Sequence, residues 1–183
     1  MIRFALFAAS FLAVAAPFAS AQVSVIGGGI ASDCYEAAYF ARVSPQQGEA
    51  ICTKAIEAEV MKLENRAATY TNRGVLRMRA GKYDAALSDY AVAKKLKPEL
   101  GAIWLNEGAA LIFQKDFAAA LVSLDKAVEL QSQDLYAAYY NRAIAKENTG
   151  DVAGAYADFQ KSLELNPEFE RAEWQLSRFT ISN

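Results

Sequence analysis

The sequence predicts an all-α protein built as an array of short helical hairpins, and three observations lead to this fold class. The chain matches itself when it is shifted by 34 or 35 residues. Within each repeat, apolar and small residues recur three and four positions apart on both sides of a short turn, which is the spacing of a helix face. The 183 residues are 54% hydrophobic and 22% charged, so the chain can bury a core.

The first 21 residues are predicted to be a cleaved secretory signal peptide. Arg3 precedes an apolar run over residues 4–16, and residues 19–21 have the small-residue Ala-Ser-Ala pattern that signal peptidase recognises. The run has about 13 residues, whereas a membrane-spanning helix needs roughly 20. We therefore expect cleavage before Gln22 and a periplasmic or secreted location.

Three consecutive units align over residues 67–100, 101–135 and 136–169. Each is expected to be two helices joined at Gly81, Lys115 or Gly150, where a glycine suits the left-handed conformation that often ends a helix. The aligned places are Tyr70, Trp104 and Tyr139; Gly74, Gly108 and Ala143; Ala86, Ala120 and Ala155; Tyr90, Leu124 and Phe159; and Pro98, Ser132 and Pro167. Small residues at the second and third places predict that the two helices approach closely.

These places resemble the tetratricopeptide repeat family, whose 34-residue unit carries aromatic, glycine, alanine and proline signatures. The usual leucine before the glycine is replaced by Arg73, Glu107 and Arg142, and the usual tyrosine by Arg77, Leu111 and Lys146. The resemblance implies a right-handed superhelical solenoid of tandem hairpins whose concave groove holds a peptide or a partner protein.

The flanking segments complete the predicted domain. Residues 22–31, which include Gly27, Gly28 and Gly29, are expected to be a flexible lead-in. Residues 32–66 are expected to form a divergent N-terminal hairpin. Residues 170–183 are expected to form a capping helix and tail, with the helical pattern reaching Phe179, because repeat arrays need covered ends.

The two cysteines, Cys34 and Cys52, lie one in each helix of the divergent hairpin. In an oxidising compartment we expect them to form a disulfide, which would stabilise the fold by about 3 kcal/mol in the loop-entropy account. A thiol-redox role is the alternative, and it requires an accessible thiol of low pKa.

Two arginines at the usual leucine place have acidic residues sixteen positions later. Arg73 is followed in this way by Asp89, and Arg142 by Asp158, whereas the middle unit has Glu107 and Ser123. We expect structural ion pairs across the first and third hairpins. Ligand binding by these arginines is the alternative.

One side of the first helix of each unit lies opposite the side that faces the hairpin partner. The resemblance to the tetratricopeptide repeat family implies that this side lines the concave, peptide-binding groove. Asparagine recurs on that side in all three units, and its amide both donates and accepts, so a row of such residues could pair with the backbone of an extended peptide. Hydrogen bonding among the repeat helices themselves is the alternative. The predicted groove residues are Thr71, Asn72, Val75, Met78, Arg79, Leu105, Asn106, Ala109, Ile112, Phe113, Tyr140, Asn141, Ile144 and Asn148.

Composition argues against several other functions. The chain has no histidine, which excludes histidine-based triads and disfavours a catalytic zinc site, so we expect no enzyme activity, cofactor or metal. A net charge of −2 gives little support to nucleic-acid binding. A protein-interaction scaffold of the cell envelope is the leading prediction, and a structural subunit of an envelope or secretion assembly is the alternative. Homodimer formation through an exposed array end also stays open.

Overall fold

The structure is a computed structural model that describes residues 3–6, 19–25 and 28–182. The described residues form nine helices and one short pair of strands, which confirms the predicted all-α solenoid. In chain order, the elements are β1 (Arg3–Leu6), α1 (Ile30–Phe40), α2 (Pro45–Ala58), α3 (Leu63–Arg79), α4 (Tyr83–Leu96), α5 (Gly101–Phe113), α6 (Phe117–Glu129), α7 (Leu135–Asn148), α8 (Val152–Leu165), α9 (Glu170–Ser177) and β2 (Phe179–Ser182).

Consecutive helices pack as antiparallel hairpins. The pairs α3–α4, α5–α6 and α7–α8, called units 1, 2 and 3 below, have the most extensive contacts together with α1–α2. The first helix of each unit also contacts the second helix of the hairpin before it and the first helix of the adjacent unit. Each first helix is therefore covered on several sides.

The turn inside each unit has one geometry. Gly81, Lys115 and Gly150 have φ values of 74°, 63° and 91°, and the residue after each one donates its N–H to a carbonyl five positions back. This pattern closes a helix in the Schellman manner. Lys115 adopts the left-handed conformation despite its side chain, so the repeat architecture outweighs the local cost at that position.

The close approach of the two helices depends on the aligned small residues. A Cβ atom added to Gly74 would lie 2.4 Å from Cε1 of Tyr90, and one added to Gly108 would lie 2.5 Å from Cγ of Leu124. Both distances are far inside van der Waals contact, so any larger residue would push the hairpin apart.

The N-terminal hairpin α1–α2 carries the disulfide. Cys34 and Cys52 are bonded with a Cα–Cα separation of 4.7 Å, and both side chains are fully buried. Helix α2 begins with a capping box in which the Ser44 hydroxyl accepts from the N–H of Gln47 and the Gln47 side chain accepts from the N–H of Ser44.

The C-terminal end differs from the sequence prediction. Helix α9 ends at Ser177, and Phe179 starts strand β2, although the helical pattern was predicted to reach that residue. Strand β2 pairs antiparallel with β1, with Arg3 opposite Ser182 and Leu6 opposite Phe179. Because strand pairing depends on a partner distant in sequence, the periodicity of residues 170–179 gave no indication of it.

The expected lead-in also differs in part. Helix α1 already begins at Ile30, and Glu59 caps it, since its two carboxylate oxygens accept from the N–H groups of Ile30 and Ala31 at 2.6 and 3.1 Å. Residue 27 and most of the predicted signal peptide, residues 7–18, lie outside the described residues. Among the helices of the described part, none has both the length and the apolar character required to cross a bilayer.

Candidate peptide-binding groove

The site is built on one residue from the first helix of each unit. Asn72 on α3, Asn106 on α5 and Asn141 on α7 are all fully buried, and together they form what we call the asparagine row. Their amides hydrogen-bond to the backbone of residues 19–23 of the same chain, called the docked segment below.

Two of the three amides hold one residue each by both of its backbone groups. Asn106 accepts from the N–H of Ala21 at 2.9 Å and donates to its carbonyl at 2.5 Å. Asn72 accepts from the N–H of Val23 at 2.9 Å and donates to its carbonyl at 2.8 Å. Each of these asparagines therefore pairs with a backbone as a neighbouring strand would.

The third amide makes half of this arrangement. Nδ2 of Asn141 donates to the carbonyl of Ala19 at 2.9 Å, whereas its buried Oδ1 has no hydrogen-bond partner among the described residues. Every second residue of the docked segment thus meets one unit, and the segment runs from unit 3 to unit 1, opposite to the order of the units. In a strand, alternate residues direct their N–H and C=O groups to the same edge, which explains the step of two.

The side chains of the docked segment also pack into the array. Ala21 is fully buried and belongs to one hydrophobic cluster with Leu105 and Ile112, against which Ala19 and Val23 are packed. Ser24, in contrast, is exposed, and Ser20 and Gln22 are half-buried. A small side chain at residue 21 therefore fits a closed, apolar place in the groove.

The remaining part of the groove is open beside the segment. A concavity of about 380 Å³ is bordered by Ser20 and Gln22 and by residues from units 1 and 3, including Arg79 and Tyr136. The docked segment fills the asparagine side of the groove and leaves this adjoining space accessible.

Several predicted groove residues serve helix packing instead. Met78, Ala109 and Phe113 pack in a cluster with Tyr90, and Phe113 stacks on Tyr83 with ring centroids 5.0 Å apart. Tyr140 packs among aromatic rings of α8 and the segment before α9. The physical reason is that each first helix contacts at least three other helices, so the side opposite its hairpin partner still meets neighbouring helices.

The other predicted residues divide into three groups. Leu105 and Ile112 belong to the same hydrophobic cluster as Ala21, and Ile144 packs against that cluster. Thr71 and Val75 are buried, and the Thr71 hydroxyl donates to Ala67 of its own helix. Asn148 is exposed at the end of α7 and donates to the Ile144 carbonyl.

Arg79 was predicted to be the one basic residue of the groove. Its Nη1 donates to the Ala38 carbonyl in the last turn of α1 at 2.6 Å, which is a favourable place for a cation. Burial lowers the pKa of Arg79 from its ordinary value. The guanidinium group thus has a structural partner in the N-terminal hairpin.

The residue after each asparagine faces its hairpin partner. Arg73 and Asp89 form a bidentate ion pair with contacts of 3.0 and 2.7 Å, and Arg142 and Asp158 form the equivalent pair with contacts of 2.7 and 2.8 Å. Both predicted pairs are therefore present. Hydrogen bonding to Asp158 raises the pKa of Arg142 above its usual range.

Unit 2 makes the same connection with different chemistry. Glu107 accepts a hydrogen bond from the Ser123 hydroxyl at 2.9 Å and pairs with Lys94 of the preceding unit. In unit 2 the positive charge therefore comes from Lys94 of unit 1 instead of from the first helix, and the hydrogen bond between Glu107 and Ser123 connects the two helices of the hairpin.

Comparisons with known proteins agree with this geometry. Models of the tetratricopeptide repeat match residues 101–134 and 136–169. Tetratricopeptide repeats are therefore found in units 2 and 3, and unit 1 repeats their turn and their small-residue contact.

Curated relatives match parts of the chain. It is 34% identical over 88 residues to "BBSome complex member BBS4" of Xenopus tropicalis, covering 48% of this chain and 17% of that protein. It is 29% identical over 133 residues to "FK506-binding protein-like" of Mus musculus, covering 68% and 38%. The chain thus spans well under half of these relatives.

Solved structures share the fold over more of the chain. "MamA 41-end from Desulfovibrio magneticus RS-1" aligns with a TM-score of 0.65 at 21% identity, covering 81% of this chain and 82% of that one. "First TPR of Spaghetti (RPAP3) bound to HSP90 peptide SRMEEVD" aligns with a TM-score of 0.58 at 27% identity, covering 61% and 87%.

Proposed function

We propose that this protein is a non-catalytic scaffold that holds an extended polypeptide in the groove marked by the asparagine row. The observation that carries the proposal is the paired hydrogen bonding of Asn72 and Asn106 to the N–H and C=O groups of extended backbone. The backbone in this structure is the chain's own. Because backbone groups are common to all peptides, the same contacts suit a separate polypeptide.

The proposed ligand is apolar or mixed in character. The relative bound to the peptide SRMEEVD holds a segment with three acidic residues. In the present groove, the predicted basic residue is Arg79, and it already donates to Ala38. Arg171 lines the adjoining concavity together with two acidic residues, Glu168 and Glu170. The cluster around Leu105 and Ile112 is apolar, so an acidic tail would bring charges that meet little compensation there.

We further propose that the protein works outside the cytoplasm, in the periplasm or as a secreted protein. The apolar run and the Ala-Ser-Ala pattern of residues 19–21 support export. The buried disulfide between Cys34 and Cys52 supports an oxidising compartment. Since both sulfur atoms are bonded and buried, the structure favours a stabilising role over a thiol-redox role.

The test is partner capture with single-residue variants. The protein, tagged at its C-terminus, would be isolated from its native envelope after mild crosslinking, and its partners identified by mass spectrometry. We expect a partner that is lost on Asn106→Ala and kept on Asn148→Ala. Asn148→Ala is the matched control, since it removes an exposed amide that, among the described residues, donates to the Ile144 carbonyl of its own helix. Phe113 is unsuited to this test because it stacks on Tyr83.

The result that would overturn the groove proposal is a partner that survives replacement of all three asparagines while circular dichroism shows an intact fold. A multi-protein complex retained by that triple variant would support the alternative, a structural subunit held by another face. Light scattering on the purified wild-type protein would measure its mass in solution and so test whether it forms a homodimer.

A further inference from the structure

The docked segment occupies the groove in the way a bound peptide would. Its residues 19, 21 and 23 meet units 3, 2 and 1 in turn, and the contacts at Asn106 and Asn72 use both backbone groups of one residue. An intramolecular segment has an effective concentration in the millimolar range, on the order of what short linkers give. It therefore competes strongly with any peptide that needs the same amides.

The predicted cleavage site lies between the residues that contact the asparagine row, with two of them before the cut and one after it. Ala19 and Ala21 lie before the expected cut and Val23 lies after it. Cutting there separates the partners of Asn141 and Asn106 from the chain, while Asn72 keeps its two hydrogen bonds to Val23. The same cut detaches β1, which is paired with β2.

We infer that the docked segment is an internal ligand, and that cleavage between Ala21 and Gln22 opens the places at Asn106 and Asn141 to an extended peptide in trans. This inference rests on the proposed function. The peptide carries a small side chain, such as alanine, serine or glycine, at the residue that takes the position of Ala21, and its backbone carbonyl two residues earlier accepts from Asn141 as that of Ala19 does here.

The requirement for a small side chain follows from the burial of Ala21. Ala21 is fully buried among Leu105, Ile112 and the alanines of units 2 and 3. Protein interiors are close-packed, so a branched side chain at this place would have to displace its neighbours. The two residues before it are less restricted, because Ala19 and Ser20 are half-buried and border the open concavity.

The first measurement tests occupation in cis and needs no partner. Full-length chain would be made without export, and amide hydrogen exchange of Ala21 and Val23 would be followed by NMR or mass spectrometry. We expect both amides to be protected, and Asn106→Ala to remove protection at Ala21 while Val23 keeps it. Free exchange of the Ala21 amide in the folded full chain would overturn the internal ligand even if the groove binds peptides.

The second measurement tests opening by cleavage. The exported form would be purified and its first residue determined by mass spectrometry, and the probe would be the blocked peptide acetyl-Pro-Phe-Ala-Ser-Ala-amide. We expect an exported form that begins at Gln22 and binds the probe with affinity higher by on the order of tenfold or more than the full chain, because the internal competitor is gone. A control probe with leucine as its last residue should bind on the order of tenfold more weakly.

The outcomes separate the two levels of the inference. An exported form that still contains Ala21, or equal affinity of both forms for the probe, would overturn opening by cleavage. Probe binding by the exported form that is unchanged in Asn106→Ala would overturn the assigned site. If a natural partner nevertheless depends on the asparagine row, the proposed function stands and the small-residue peptide is wrong.

Discussion

Two adjacent positions on the first helix of each unit behave differently. The groove position is asparagine in all three units, whereas the next position is Arg73, Glu107 or Arg142. The groove position contacts extended backbone, whose hydrogen-bonding groups are the same at every step. The next position contacts the partner helix of its own hairpin, where any complementary pair joins the two helices. A position that binds a repeating backbone therefore carries the same residue in every unit, whereas a position that pairs within its own hairpin needs only a residue complementary to its partner.

The largest expected loss of stability comes from removing one partner of a buried ion pair within a hairpin. Asp89 is 2% exposed and pairs with both Arg73 and Arg77. Asp89→Ala leaves two partly buried guanidinium groups without this carboxylate, so the free energy of unfolding should fall by about 3–5 kcal/mol. Urea denaturation measures this loss.

The control for that variant is Asp125→Ala, which removes an exposed carboxylate that also pairs with an arginine, Arg142. Its cost should be about 0–1 kcal/mol, as for other surface pairs. Equal losses for the two variants would contradict the importance assigned to the buried pair.

The next effect comes from the groove position in the full chain. Asn106→Ala leaves the N–H and C=O of Ala21 without their partners, so unfolding should become easier by about 1–3 kcal/mol. Asn141→Ala should cost less, because only one hydrogen bond, to Ala19, is lost and the Oδ1 atom of Asn141 has no partner among the described residues.

Thermal unfolding of both asparagine variants, with the exposed Asn148→Ala as the reference, gives the order of their stabilities. If Asn141→Ala were the more damaging of the two, the unequal contacts seen across the row would not reflect its energetics.

A smaller effect is expected for the middle unit's internal contact. Ser123→Ala removes the hydroxyl that donates to Glu107, but Lys94 still pairs with that carboxylate. The loss should be about 1 kcal/mol, typical of one hydrogen bond. Chemical denaturation would show whether unit 2 is less sensitive than unit 1, and a loss comparable to that of Asp89→Ala would argue against this difference.

The smallest expected effect depends on pH. The hydrogen bond from Lys82 is the largest influence on Glu49 and, with Arg77, holds its pKa below the ordinary value of 4.5. A lowered folded pKa stabilises the fold above the unfolded value, and this contribution is lost as the pH falls through the folded pKa.

The stability gap between the wild type and Glu49→Gln should therefore narrow on acidification from neutral pH to below 4.5. The measurement is a series of denaturation curves at each pH. A gap that is constant with pH would show that the Glu49 carboxylate is not linked to folding in this way.

Much of the fold could be predicted because each unit repeats its local requirements. The aligned Gly74 and Gly108, the turn at Gly81 and the arginine–aspartate spacing each follow from contacts inside one hairpin. The end of α9 could not be predicted in this way, because Phe179 pairs with a strand at the other end of the chain.

The groove was predicted less completely than the hairpins. The repeated asparagines marked the row, since helical spacing alone places them on one side. The same spacing also selected Met78 and Tyr140, which pack against other helices. The spacing of residues along one helix shows which of them share a side, but not which neighbouring helices cover that side. Ala19 and Ala21 were interpreted only as a cleavage pattern, and nothing local to them indicated a binding partner 85 or more residues away.

The burial of Ala21 determines at which stage of folding the proposed cleavage could take place. For the proposed cleavage, a peptidase would have to bind the bond between Ala21 and Gln22 in its own active site. Ala21 is 0% exposed and hydrogen-bonded by Asn106, so it would first have to leave the groove. Closure of the array around this segment and its removal are therefore rival processes. Under this proposal, a chain cut while still unfolded would fold with the places at Asn106 and Asn141 vacant, whereas a chain that folds first would keep the docked segment in its groove.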